Sequence, residues 1–184
     1  KELVDFAKKR PGQLNFGSTG VGSVNHLLGE MLNLYSGTKI VHVPYKGGAD
    51  AISNLLAGEV AMVMTGVPPV IALAQAGKLR VIVTTGRQRM PNMPAVQTMA
   101  EAGLPNAEFV IWYGLVAPAA TPKPIIGRLN GEIVKAMSLP DVRELYSKQG
   151  VDPTTNSPEQ FAQLIRDEHA RWTKVIRAAG IKLD

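Results

Sequence analysis

No cysteine occurs among the 184 residues, which excludes disulfides and thiolate metal sites and fits either a cytoplasmic protein or a secreted one held by its core alone. Aromatic residues are scarce, at 5%. No basic run is longer than Lys8-Lys9-Arg10, so the net charge of +5 is not gathered into a patch interleaved with stacking rings, as a nucleic-acid surface would require. Small anions are therefore the expected partners, and nucleic acid is not. No stretch approaches a membrane span, because the apolar run Val67–Ala74 is short and broken by Pro68 and Pro69. The three histidines share no metal-ligand spacing, so neither a metal nor another cofactor is expected. The chain starts at Lys1 with no initiating methionine and no signal peptide, so any targeting segment is expected outside it. What is present is a hydrophobic fraction of 45%, enough for a packed core.

The punctuation of the chain is that of alternating strands and helices. Leu3, Val4 and Ala7 give the opening stretch Lys1–Lys9 an apolar side, and Pro11-Gly12 stops it. Asn15-Phe16 reads as the end of a short strand, and Ser23 opens a helix carrying Val24, Leu27, Leu28, Met31 and Leu34, with Gly37 as its left-handed cap. Lys39–Val43 reads as a buried strand, followed by Tyr45-Lys46-Gly47-Gly48 and a helix over Asp50–Ala57. Val60–Met64 is a further strand, then comes a helix through Ala76 and a strand at Leu79–Thr84. The order predicts an α/β sheet with helices on both faces. A short helix is expected around Val96–Ala102 and another strand over Phe109–Val116. Beyond it the pattern turns helical, over Pro122–Met137, over Asp141–Gln149 closed by Gly150, and over a last helix opened by Ser157-Pro158-Glu159-Gln160 and ended by Gly180. That opening combines an N-cap serine, a proline at the first helical position and a capping-box glutamine. A division follows, with a ligand-binding α/β lobe over 1–110 and a crossover strand with C-terminal helices over 111–184. That second part has no sheet partners for its strand, so an N-terminal lobe is expected to be missing ahead of Lys1.

The stretch Asn15–His26, NFGSTGVGSVNH, is the main candidate site. Glycines let the backbone approach a ligand, and the first amides of the following helix lack intrahelical acceptors at the positive end of its dipole. Ser18, Thr19 and Ser23 add hydroxyl donors, so a carboxylate or phosphate can be held without buried lysine or arginine. A P-loop would need lysine after the last glycine, and Gly22 is followed by Ser23 and Val24. A dinucleotide fingerprint would need glycine where Asn25 stands. A small carboxylate remains the best fit, against the plainer reading of a tight strand-to-helix turn.

Taken together, KELVDFAKKRPGQLNFGSTGVGSVNHL, VHVPYKGGADAISNLLAGEV, TMAEAGLP, WYGLVAPAATP and the closing WTKVIRAAGIKLD closely resemble the substrate-binding proteins of tripartite tricarboxylate transporters, the TctC or Bug family. The resemblance runs over essentially the whole chain. It implies a type II periplasmic binding (Venus flytrap) fold, with lobe two complete and only the C-terminal part of lobe one present. It implies a periplasmic solute-binding protein, not an enzyme, that captures a small organic carboxylate and passes it to a membrane permease. The ligand class extends over di- and tricarboxylates, acidic amino acids and aromatic acids. The family's ligand loops correspond to Ser18, Thr19, Gly20, Val21, Gly22 and Ser23 and to Lys46, Gly47, Gly48 and Ala49, with Thr65 and Gly66 lining the cleft. Ala61 and Thr65 stand where many members carry aspartate, which bears on the ligand's distal group.

Single residues carry competing readings. His26, one turn into the first binding helix, can meet a carboxylate or can serve as a packed histidine bonded to backbone. Lys46 attracts anions at long range or is a solvated lysine beside a turn, and Tyr45 walls the pocket or simply packs. Two other functions compete with carriage: an α/β enzyme acting on a small phosphate or carboxyl substrate, for which no base, nucleophile or metal cluster is evident, and an effector-binding sensor domain. With a lobe absent, the chain is expected to bind ligand weakly or not at all and to self-associate through apolar surface around Phe109–Val116 and the C-terminal helices.

Overall fold

The computed structural model describes residues 1–149 and 151–181. The helix stop expected at Gly150 and the closing Lys182–Asp184 lie outside the described residues. The chain divides into two compact units, one made of Lys1–Ile111 with the chain from Thr173 onward, the other of Trp112–Trp172. The block 111–184 read from the sequence is thus shared between the two.

The first unit is built on a three-stranded parallel sheet of β1 (Asn15–Ser18), β2 (Val41–Pro44) and β3 (Met62–Val63), in the order β2-β1-β3. Helix α1 (Glu2–Lys9) precedes it, α2 (Val24–Ser36) joins β1 to β2, α3 (Gly48–Leu56) joins β2 to β3, and α4 (Ile71–Gln75) follows β3. Parallel strands require crossover helices, and the nearly universal right hand of such crossovers sends α2 and α3 to opposite faces, because the β1-to-β2 and β2-to-β3 connections run across the sheet in opposite directions. Helix α2 packs on β1 and β2, and α3 packs on β1 and β3. The stop of α2 is as expected, with Gly37 in the left-handed conformation at φ 67°.

The core gathers around the central strand. Phe16, Met31 and Val175 are almost fully buried, with Leu28, Leu32, Ile40, Ala51, Ile52, Val60 and Met62 around them. The Phe16 ring lies so close to α2 that a Cβ on Gly29 would fall 2.1 Å from it, so this contact requires a residue without a side chain. Phe16 is itself enclosed, so the ring has little room to move aside.

Several expected elements differ. The strand expected over Lys39–Val43 as buried begins at Val41 and lies at the sheet edge, with Val41 exposed, because only β1 pairs with it. The strand expected at Leu79–Thr84 is reduced to one parallel bridge, Thr84 to Thr98. The helix expected around Val96–Ala102 is a set of turns in which Thr98 and Glu101 cap one another: the Glu101 carboxylate accepts from Thr98 N–H at 2.8 Å, and Thr98 Oγ1 accepts from Glu101 N–H at 3.2 Å. The strand expected over Phe109–Val116 is irregular chain; Phe109 is buried and its N–H donates to Thr85 O at 2.7 Å, but Val110 onward finds no ladder among the described residues. An apolar run becomes a strand only where another edge receives its hydrogen bonds.

The second unit is helical, with α5 (Lys123–Ser138), α6 (Pro140–Lys148) and the larger part of α7 (Pro158–Ala179). The expected capping box opens α7: Gln160 N–H donates to Ser157 Oγ at 3.2 Å, and Ser157 N–H donates to Gln160 Oε1 at 2.9 Å. Trp112 and Phe161 meet edge to face with centroids 5.3 Å apart. A Cβ on Gly114 would fall 2.2 Å from the same Phe161 ring. None of the described residues 112–172 is buried.

Candidate functional site

Because all three strands are parallel, the loops Thr19–Ser23, Tyr45–Gly47 and Met64–Val70 leave the same carboxyl edge of the sheet. With β1 in the middle, the connection from β1 runs one way to β2 and that from β2 runs back the other way to β3, and open α/β sheets bind ligands where connections change direction in this way. Ala61, at the amino end of β3 with its N–H on Asn15 Oδ1 at 2.7 Å, lies at the opposite edge.

The first two loops are brought together. Tyr45 N–H donates to Ser18 O at 3.0 Å, and Thr19 Cγ2 lies 3.8 Å from the place a Cβ on Gly48 would take. Gly20 and Gly22 adopt φ of 122° and 74°, which side-chain-bearing residues rarely do, so the loop folds back before α2. Across β1, Met64 N–H donates to Gly17 O at 3.3 Å and sets Thr65 and Gly66 just past the strand end. Gly17 keeps this edge tight, since a Cβ there would meet the Tyr45 ring and Val63 at 3.2 Å.

The donors divide into two groups. The N–H groups of Thr19, Val21, Val24 and Asn25, of Gly48, Ala49 and Asp50, and of Thr65 and Gly66 have no acceptor among the described residues. Those of Val24, Asn25, Gly48, Ala49 and Asp50 are the orphan amides that the starts of α2 and α3 leave over, and the others belong to the loops before a helix. Three expected donors are used internally. Ser18 is fully buried, and its hydroxyl bonds His42 Nε2 at 2.6 Å and both the N–H and C=O of Gly20 at 3.1 Å. Gly22 N–H donates to His26 Nδ1 at 3.1 Å. Ser23 N–H donates to Gly20 O at 3.2 Å, while Ser23 Oγ accepts from His26 N–H at 3.2 Å as the N-cap of α2. Thr19 Oγ1 accepts from Asn25 Nδ2 at 3.3 Å and keeps its own proton to donate. Val21, Lys46 and Ala49 are exposed at the rim, and Asp50 in the first turn of α3 adds a negative charge that the amides of that helix must offset.

Beneath the loop the two histidines stack, with ring centroids 3.7 Å apart and planes 10° from parallel. Phe16 packs against the His42 ring at 5.1 Å. Burial holds His42 down at a pKa of about 4, and the neighbouring His26 adds to that. Burial also lowers His26, against the pull of Glu30 3.8 Å from its Nε2. His42 was not among the candidate residues; the signal available was its place in the strand that follows the His26 helix, since a β-α-β unit lays helix and second strand face to face.

An open groove of about 560 Å³ lies at the amino edge of the sheet, between Pro11, Asn33, Thr38, Lys39, Val41 and Ala178, and includes none of the candidate residues. No His, Cys, Asp or Glu cluster among the described residues can hold a metal, and no described helix is long and apolar enough to cross a membrane.

The chain is 38% identical over 176 residues to the UPF0065 protein in the tcbD-tcbE intergenic region of Pseudomonas sp. strain P51, covering 95% of this chain and 52% of that protein. It is 37% identical over 181 residues to protein BugT of Bordetella pertussis, covering 98% and 56%. Among solved structures, a periplasmic transporter superposes with a TM-score of 0.88 at 36% identity, over all of this chain and 61% of that one. Rpa4515 of R. palustris with adipate gives 0.86 at 32%, over 98% and 60%, and MatC of Rhodopseudomonas palustris with bound malate gives 0.78 at 30%, over 95% and 60%. The chain therefore spans about half the length of these curated relatives, and its fold is that of part of a periplasmic binding protein. The model of the tripartite tricarboxylate transporter family receptor, TctC, matches residues 1–181, and the chain belongs to that solute-binding family.

Proposed function

We propose that this chain forms one side of a periplasmic binding site for a small organic carboxylate, which the whole protein captures and delivers, unchanged, to the permease of a tripartite transporter. The observation that carries this reading is the set of unbonded amides from three loops at one sheet edge, those of Thr19, Val21, Val24 and Asn25, of Gly48, Ala49 and Asp50, and of Thr65 and Gly66. Such amides grip a carboxylate through charge-assisted hydrogen bonds without a buried counter-charge, and they are fixed before the ligand arrives. The adipate and malate held by two structural relatives are acids of this class. Residues Thr19, Val21, Gly48, Ala49, Thr65 and Gly66 supply the contacts, Lys46 adds attraction at the rim, and Ser18, Gly20, Gly22, Ser23 and His26 shape the loop. Carriage without chemistry agrees with the solute-binding family to which the chain belongs.

A thermal-shift titration of the intact protein with adipate, malate, citrate, glutamate and benzoate tests the reading. Saturable stabilisation by at least one acid is expected, about 2.7 kcal/mol at a hundredfold excess over Kd, with the acid recovered unaltered. Stabilisation by none of them, or conversion of the acid to a product, overturns it.

A further inference from the structure

We propose that His26 and His42 are positioning residues for the glycine loop, holding Ser18–Ser23 in its binding shape through the stacked neutral pair and not by touching the ligand. The proposal rests on the carboxylate-binding reading for its consequence, but the holding of the loop stands independently of it.

The bonds run in one direction. Gly22 N–H donates to His26 Nδ1 at 3.1 Å, so that nitrogen carries no proton and the neutral ring has its hydrogen on Nε2, toward Glu30. His26 is buried, with its ring face occupied by His42 and its backbone N–H on the Ser23 cap. His42 Nε2 meets the hydroxyl of Ser18, which in turn bonds both backbone groups of Gly20. The two rings therefore fix the loop at Gly20 and at Gly22, the two left-handed positions. Val21 between them points outward, with its N–H unbonded. The charged groups acting on the pair are few: Glu30 from α2 acts on His26, His26 acts on His42, and β1, packed against both, carries no ionisable side chain.

Protonation would undo this arrangement. A proton on His26 Nδ1 sets two N–H groups against one another and breaks the Gly22 bond, and a second cation 3.7 Å away in the stack adds repulsion. Burial already opposes both charges. A histidine that touched the ligand carboxylate would give the reverse behaviour, with affinity rising as the ring became charged.

Two measurements on the chain test the proposal. In nitrogen-15 NMR, the His26 ring is expected as the Nε2–H tautomer at pH 7.5, and the Gly22 amide is expected to exchange about tenfold faster in His26→Leu, as the loss of one net hydrogen bond implies. In His26→Asn, whose Oδ1 takes the place of Nδ1 as acceptor, the protection of Gly22 is restored. An Nδ1–H tautomer, or Gly22 protection equal in wild type and His26→Leu, overturns the proposal whether or not any acid binds. The intact protein titrated with adipate and malate by calorimetry gives the consequence: once the acid's own protonation is allowed for, affinity falls several-fold between pH 7.5 and 5 in wild type and stays level in His26→Asn. Affinity that rises on acidification overturns it in favour of direct contact. If neither acid binds at any pH, the carboxylate reading fails for these ligands, and the tautomer and exchange results still decide the positioning role.

Discussion

The two units of this chain are similar in hydrophobic residues and opposite in what they do with them. In the first, Phe16 and Met31 are each 1% exposed; in the second, Tyr113 is 89%, Leu115 75% and Val116 83% exposed. Helix content does not explain the contrast, because α5 and α7 are the longest helices described. The first unit has a sheet, and a sheet gives each helix a broad apolar face to cover; three helices without one leave their stripes half open. Order can therefore be held locally, by caps and chain direction, where burial is lacking. The candidate loops are themselves half-buried or exposed, but they rise from the buried end of β1, where Ser18 is fully enclosed, and that anchorage is what fixed amides require.

The contrast breaks most sharply at two phenylalanines. Phe16→Ala removes an enclosed ring from the centre of the sheet and is expected to cost about 3–5 kcal/mol. Phe161→Ala removes a partly exposed ring whose main partner is the edge of Trp112, and about 1–2 kcal/mol is expected. Urea denaturation of both variants measures the difference, and equal losses would mean that the second unit is as well packed as the first.

Glycines sharpen the comparison, because the same substitution should change sign. Gly29→Ala sets a methyl against the Phe16 ring, where the overlap has no room to relax, and about 3 kcal/mol of destabilisation is expected. Gly131→Ala, in α5 with open space around the added Cβ, is expected to stabilise by up to about 1 kcal/mol, since alanine loses less backbone entropy in a helix. Thermal melts of the pair give the signs directly. Destabilisation by both would show that α5 packs on something that its exposed surface does not reveal.

What the sequence disclosed follows the same division between local and distant causes. The Ser157 box and the Gly37 cap were legible because all their partners lie within a few residues. The three glycine-bearing loops were legible as helix starts, since strand, glycine and helix occur in that order each time. The strands expected at Leu79–Thr84 and Phe109–Val116 were misread because an apolar run does not say whether a neighbour will pair with it. The edge position of β2 was hidden for the same reason. Which donors of the site are spent was illegible too: Ser18 and Gly22 are taken by His42 and His26, and only the closing of the β1-α2-β2 unit brings those rings to 3.7 Å.

Acid is the gentlest way to separate the units, and it acts through the His42 ring in the first. The unfolded chain takes up that proton near pH 6.5 and the folded chain near 4, so between these values the unfolded state holds more protons and stability falls as pH falls. Complete burial would set the loss near 3 kcal/mol; the partial exposure of His42 brings the expected figure to about 1–2 kcal/mol. His42→Gln keeps a partner for the Ser18 hydroxyl without titrating in this range, and the slope between pH 6.5 and 4.5 should flatten. The readout matters, because Trp112 and Trp172 both belong to the second unit and report on it alone. Amide signals over Phe16–His42 should weaken on acidification before tryptophan emission moves. Simultaneous loss of both would show that the second unit draws its order from the packed one, and that caps alone do not sustain it.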